Sequence, residues 1–163
     1  MCYRASMSGP TIEDIRAAAE RIAPYAHKTP VLRSTYIDDL AGAEVFFKCE
    51  NFQKVGAFKF RGACNVVFSL SDDECICGVA THSSGNHAQA LALAAKMRNI
   101  PAHIVMPRTA PAVKQAAVRD YGAHITLCAP TLQAREDTTA EIVATTGSVF
   151  IHPYNDERII AGQ

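Results

Sequence analysis

The 163-residue chain carries 16 lysine and arginine residues against 16 aspartate and glutamate residues, and 48% of it is hydrophobic. That is about one domain's worth of chain, with ample apolar content for a folded core and no low-complexity tract. The charge balance removes any global electrostatic argument for nucleic acid or an acidic membrane. The longest apolar stretches, such as Ala88–Ala95, fall far short of the ~18 residues that span a bilayer. The opening M-C-Y-R-A-S-M-S-G-P has no apolar signal core, so a cytoplasmic chain is expected. Its six cysteines are then read as reduced thiols. Cys75 and Cys77 have the wrong spacing for a zinc knuckle, and no metal site is expected.

In chain order, T-I-E-D-I-R-A-A-A-E-R-I-A reads as a helix with Thr11 as N-cap and Asp14 three residues on, stopped by Pro24. The stretch H-K-T-P-V-L-R-S-T-Y reads as extended, because Pro30 disfavours helix at Thr29. Glu44–Cys49 reads as a strand and Lys59–Leu70 as a helix. From residue 76 the pattern becomes regular: strand I-C-G-V-A-T, loop H-S-S-G-N, helix H-A-Q-A-L-A-L-A-A-K-M-R, strand A-H-I-V-M. A P-R-T-A-P loop, a helix Ala112–Tyr121, strand H-I-T-L-C, a helix Leu132–Thr146 and strand S-V-F-I-H follow. Strands alternating with helices predict an α/β fold, a parallel sheet with helices on both faces and right-handed crossovers. The final R-I-I-A-G-Q looks like the opening turns of another helix, on which the chain stops without a cap or a closing strand, so a truncated chain is expected.

Three clusters carry chemistry. In Q-K-V-G-A-F-K-F-R-G-A, Lys59 lies between two phenylalanines and beside Arg61. Desolvation and a cationic neighbour would favour its neutral, nucleophilic amine, whereas the plain alternative is a surface lysine with both rings turned inward. In T-H-S-S-G-N-H, a strand-to-helix loop offers backbone amides, a helix dipole, hydroxyl and amide side chains, and a glycine that admits a ligand closely. This is either an anion site suited to a carboxylate or an ordinary capped turn. P-R-T-A-P reads as a rigid loop opening a helix. His82 and His87 lack metal-type partners and read as hydrogen-bonded structural histidines.

Together K-T-P-V-L, F-F-K-C-E-N-F-Q-K, G-A-F-K-F-R-G-A, S-S-G-N-H-A-Q-A and P-x-x-A-P-x-x-K resemble the fold-type II pyridoxal-phosphate enzymes, in their serine racemase and threonine dehydratase branch. The resemblance covers about Ile12 to Gln163. It implies a tryptophan-synthase-β-like fold and pyridoxal 5'-phosphate as cofactor. By position, Lys59 would form the Schiff base, Phe58 would pack on the pyridine ring and Asn86 would bond the phenolic oxygen. Ser83, Ser84, Gly85, Asn86 and His87 would hold the substrate carboxylate. With the cofactor as electron sink, Lys59 could remove the Cα proton of serine or threonine. Loss of the β-hydroxyl gives dehydration, and reprotonation on the opposite face gives racemisation. Ser84 resembles the racemase pattern, where typical threonine dehydratases have alanine; racemases of this group also eliminate water.

The same resemblance implies a homodimer in the full-length form, activated by ATP and a divalent cation. The matching positions are Ser34, Thr35, Tyr36, Lys54, Gln89 and Tyr121. Tyr36 and Val55 depart from the pattern, Val55 lacking a hydroxyl beside Lys54. Residues 1–75 would begin the large cofactor-binding domain, 76–152 would form the small domain, and 153–163 would start the return to the large one. The cofactor's phosphate loop would lie beyond the chain, so little activity is expected of it alone. A non-catalytic short isoform, or a ligand-binding module reusing the fold, are the competing readings.

Overall fold

The computed structural model describes residues 9–163; residues 1–8, the opening of the segment read as large-domain chain, lie outside the described residues. Helix α1 (Ile12–Ile22) starts as its T-x-x-D pattern predicts. The Asp14 amide donates to Thr11 Oγ1 at 3.2 Å, and the Thr11 amide donates back to the Asp14 carboxylate at 2.8 Å. Two short strands, β1 (Val31–Leu32) and β2 (Phe47–Lys48), pair antiparallel and stay exposed.

The extended reading of H-K-T-P-V-L-R-S-T-Y holds at β1 but fails at its end, where Thr35–Ala41 is a helix, α2, closed by Gly42 in the left-handed region. Of Glu44–Cys49 only Phe47–Lys48 forms strand. The strand read over I-C-G-V-A-T holds from Val79 on but fails at its opening, Ile76–Cys77. Ser71 and Glu74 form a capping box that opens helix α4 (Asp72–Cys77), and Gly78, at φ 72°, turns the chain into the next strand. That S-x-x-E signature was in the sequence, and apolar Ile76 and Cys77 masked it.

The main sheet has four strands in the order β5-β4-β3-β6: β3 (Val79–His82), β4 (Ala102–Pro107), β5 (His124–Cys128) and β6 (Val149–Phe150). All its pairings are parallel. The chain steps from β3 to β4 through α5 (Asn86–Arg98) and on to β5 through α6 (Ala112–Asp120). It then crosses back through α7 (Leu132–Thr146) to the far side of β3. With right-handed crossovers, the two directions of travel put α5 and α6 on one face and α7 on the other. Accordingly α5 packs on α6, while α7 packs on β3, β4 and β5.

Helix α5 is buried on nearly every side, from His87 and Ala88 to Ala94 and Ala95. The sheet covers one side and α3 (Lys59–Ser69) the other, so its composition is alanine-rich all round rather than amphipathic. Arg98 secures the pair by donating to the α3 carbonyls of Val67 and Leu70. Helix α8 (Glu157–Gly162), whose R-I-I-A-G-Q read as the opening turns of a helix, is N-capped by Asp156 and packs on α1 and α3. At the α3 crossing a Cβ on Gly62 would stand 2.7 Å from the Ile159 carbonyl oxygen, and one on Gly162 would stand 2.6 Å from Asn65 Cβ. Asn65 bridges the helices by accepting from Arg21 at 2.5 Å and donating to the Arg158 carbonyl at 2.7 Å. No helix among the described residues is long and apolar enough to cross a membrane.

Because that close approach is backbone against backbone, Gly62→Ala is expected to lower stability by about 1–3 kcal/mol, the usual range for overpacking. Chemical denaturation measures it; a variant as stable as the parent would mean that α8 is not seated on α3.

Candidate active site

Strand order reverses at β3 and β6, and open α/β sheets bind ligands outside the carboxyl ends of their strands at such a reversal. Here β3 runs into Ser83–Gly85 and α5, and β6 runs into Ile151–Asn155. The Thr81 hydroxyl donates to the Ile151 carbonyl at 2.7 Å, tying the two strand ends together.

Lys59 is brought to this place by α3. A tight turn redirects the chain before that helix: Val55 (φ 56°, ψ 14°) and Gly56 (φ 67°) are consecutive left-handed residues. A β-branched residue there is strained, which marks the turn as constrained by its surroundings. Lys59 Nζ donates to the Pro153 carbonyl at 3.2 Å and to Gln163 Oε1 at 3.1 Å. A neutral amine has two N–H bonds and one lone pair, so two acceptors occupy both donors and leave the lone pair for an electrophile. Burial lowers the Lys59 pKa and favours that neutral form.

The cationic neighbour expected to assist does not. Arg61 is turned away into a bidentate pair with Glu50, Nε to Oε2 at 2.8 Å and Nη2 to Oε1 at 2.7 Å, so its charge is answered locally. Nor do the flanking rings both turn inward: Phe60 is fully buried, while Phe58 is 44% exposed with its ring centroid 5.1 Å from Lys59 Nζ.

In the adjoining loop, Ser83 Oγ accepts from the Gly85 amide at 3.2 Å, so Ser83 organises the turn. The amides of Ser84, Asn86, His87 and Ala88 have no protein partner among the described residues, nor has the Ser84 hydroxyl. Asn86 is exposed at the first turn of α5. His87 is buried with neither ring nitrogen in hydrogen-bonding geometry, and His82 Nδ1 is likewise alone. The expectation of hydrogen-bonded structural histidines therefore fails. Burial, reinforced by Lys59, pushes the His87 pKa down to about 4, and burial lowers that of His82.

Three participants were not singled out from sequence. Pro153 contributes only a carbonyl, and Gln163 lies more than a hundred residues from its partner, so neither had a local signal. Lys114, the last residue of P-x-x-A-P-x-x-K, did: its Nζ lies 3.5 Å from where a Cβ on Gly85 would be, a cation beside the free amides. The residues matched to a nucleotide site are dispersed. Ser34, Thr35 and Tyr36 open α2, Gln89 lies in α5, and Tyr121 ends α6. Lys54 reaches over the buried Phe60 ring at 5.4 Å. Helix α2 has no extended packing on α5 or α6, so one chain does not gather the six positions.

The family model described as pyridoxal-phosphate dependent enzyme matches residues 22–163. The chain is 57% identical over 154 residues to a beta-hydroxyaspartate dehydratase of Paracoccus denitrificans (strain Pd 1222), covering 94% of this chain and 49% of that protein. It is 55% identical over 152 residues to a serine racemase of Oryza sativa subsp. indica, covering 93% and 45%. The solved structure of maize serine racemase superposes with a TM-score of 0.92 at 53% identity, covering 94% of this chain and 47% of that one. The chain spans about half the length of the curated relatives it matches. It belongs to the pyridoxal-phosphate dependent enzyme family. The residues present fit that cofactor: a partly desolvated amine with both N–H groups engaged, a half-exposed aromatic ring beside it, and exposed Asn86.

His87 also fixes a pH dependence. Its folded pKa of about 4 lies below the ordinary 6.5, so below pH 6.5 the unfolded chain binds the proton that the folded chain refuses. Stability from this group is complete above pH 6.5 and is expected to fall as pH drops through about 4. Denaturant midpoints across that range should decline, and His87→Phe should flatten the decline; an equal slope in the variant would assign the effect to other groups.

Proposed function

We propose that the protein carrying this chain uses pyridoxal phosphate to racemise serine or to eliminate water from it, with Lys59 as the amine that binds the cofactor. The observation that carries this reading is the Lys59 amine, its two N–H groups engaged by Pro153 and Gln163, held beside a loop of unpaired amides at the strand-order reversal. When bound, the cofactor supplies an aldehyde carbon and an electron sink that makes the substrate Cα proton acidic.

The chain's own residues divide the remaining work. The amides of Ser84, Asn86 and His87 at the N-terminus of α5 hold the substrate carboxylate, assisted by the helix dipole. Phe58 provides an apolar platform for an aromatic ring, and Asn86 a donor for an oxyanion. Lys59 takes the Cα proton at Nζ. Ser84, whose hydroxyl has no protein partner among the described residues, returns a proton to the opposite face; if the β-hydroxyl leaves first, as water, the outcome is elimination. Residues 1–75 are assigned to the large domain, 76–152 to the small domain and 153–163 to the return.

A second reading, β-elimination from a hydroxy-amino acid bearing a second carboxylate, draws support from the Lys114 cation beside Gly85 and from the dehydratase relative. Threonine dehydration belongs with the same alternative, and Ser84 in place of alanine weighs against it. A homodimer activated by ATP and a divalent cation rests on the family likeness. The dispersal of the six matched residues means that such a nucleotide would have to sit between two chains. A cytoplasmic setting accords with five unbonded cysteines among the described residues. A non-catalytic short form is the reading to which loss of both activities in the expressed protein would point.

Borohydride reduction of the protein with pyridoxal phosphate is expected to fix the cofactor to the peptide containing Lys59; a label on any other lysine ends this assignment. Ser84→Ala is expected to depress serine racemisation by a factor on the order of 10² or more while elimination persists, as for loss of one general acid–base group. Equal loss of both activities would reduce Ser84 to holding the substrate.

A further inference from the structure

The acceptor that orients Lys59 is itself held by a histidine. His152 Nδ1 accepts from the Asn155 amide at 2.9 Å and from the Tyr154 amide at 3.3 Å, closing a turn over residues 152–155. The carbonyl inside that turn is Pro153, the one that accepts from Lys59 Nζ at 3.2 Å. A ring nitrogen receiving two N–H donors carries no proton, so the turn requires neutral imidazole with its hydrogen on Nε2. The ring is wedged edge-on between Tyr154, at 4.5 Å between centroids, and Phe150, at 6.0 Å. Proline in the turn removes a competing amide and narrows the alternative backbone paths.

We propose that His152 is a positioning residue for Lys59: its unprotonated Nδ1 closes the turn that presents the Pro153 carbonyl to the lysine amine. The inference rests on Lys59 being the reactive amine.

Protonation of His152 replaces an acceptor by a donor facing two N–H groups, so the turn opens and Lys59 loses one of its two acceptors. The charged and titratable groups facing the ring come from four elements. Asp156 at the start of α8 and Glu136 on α7 favour the imidazolium, while His82 on β3 and His87 on α5 oppose it when they are charged. Burial outweighs the two carboxylates and keeps the His152 pKa below its ordinary value, so the turn is closed at neutral pH and opens on acidification. Asp156 is engaged by Arg158 at 2.9 Å, which answers much of its charge.

The test compares His152→Asn, whose Oδ1 can overlay Nδ1, with His152→Gln and His152→Phe, which cannot place an acceptor there. The readout is acylation of Lys59 by acetic anhydride relative to exposed Lys28 in the same sample, across the imidazole titration range, in the protein as expressed. In the parent, the ratio should exceed unity at neutral pH and step down on acidification. His152→Asn should keep the neutral ratio and lose the step. His152→Gln and His152→Phe should lower the ratio severalfold, toward that of an exposed lysine, at every pH. A parent-like ratio in His152→Phe, or a His152→Asn ratio as low as that of His152→Gln, overturns the proposal. Should the phenylalanine variant fail to fold, the asparagine–glutamine pair decides alone. A borohydride-trapped cofactor on another lysine would sink the assigned role of Lys59, yet the acylation ratios would still report whether His152 governs that amine.

Discussion

The site exists because right-handed crossovers oblige a chain that reverses its direction of travel along a sheet to change faces. Here the reversal falls at β3, with β4 and β5 on one side and β6 on the other. Helices α5 and α7 therefore leave opposite faces, which opens a crevice where the β3 and β6 strand ends meet. Everything chemical in the chain is delivered to that crevice: the amides at the start of α5, the turn after β6, and the first residue of α3. The third depends on α3 lying against α5, a packing that the alanine-rich composition of α5 suits.

In the role proposed for Lys59, placement more than charge would prepare the nucleophile. A guanidinium two residues away would be an effective perturbant if it were unpaired, but Glu50 holds it bidentate and directs it elsewhere. Partial removal from water then shifts the amine toward neutrality, and two acceptors orient it. Both acceptors arrive from the last dozen residues of the chain. Helix α8, through its Gly162 contact with α3 and the Asn65 bridge, is thus part of the site's support as well as of the fold.

Polar groups without partners concentrate around the same crevice. His87 lacks partners on both ring nitrogens, His82 on one, and the first-turn amides of α5 have no protein acceptor. Away from it, buried polar side chains among the described residues are satisfied, as Asn65 is. Such local violations of the pairing rule are typical of functional regions, where groups are kept free for a ligand or for one another.

Much of this was legible in the linear sequence because it is written in short-range patterns. Strand–helix alternation from residue 79 onward, the Thr11 cap and the S-S-G-N loop before α5 all rest on contacts within a few residues, so composition and spacing carry them. Lys59 was legible as a candidate for the same reason, through its phenylalanine flanks. Local signals also misled where two competed: the apolar pair Ile76–Cys77 suggested strand, yet the Ser71–Glu74 box made helix. Only the tertiary structure could decide that Arg61 is spoken for by Glu50, that His87 is buried without partners, that Pro153 and Gln163 accept from the lysine, and that His152 closes the turn holding Pro153. Those contacts join residues up to 104 positions apart, and they form only once the crossovers have brought β6 beside β3 and α8 onto α3. A carbonyl is common to every residue type, so nothing in the letters marks the one that a lysine will meet.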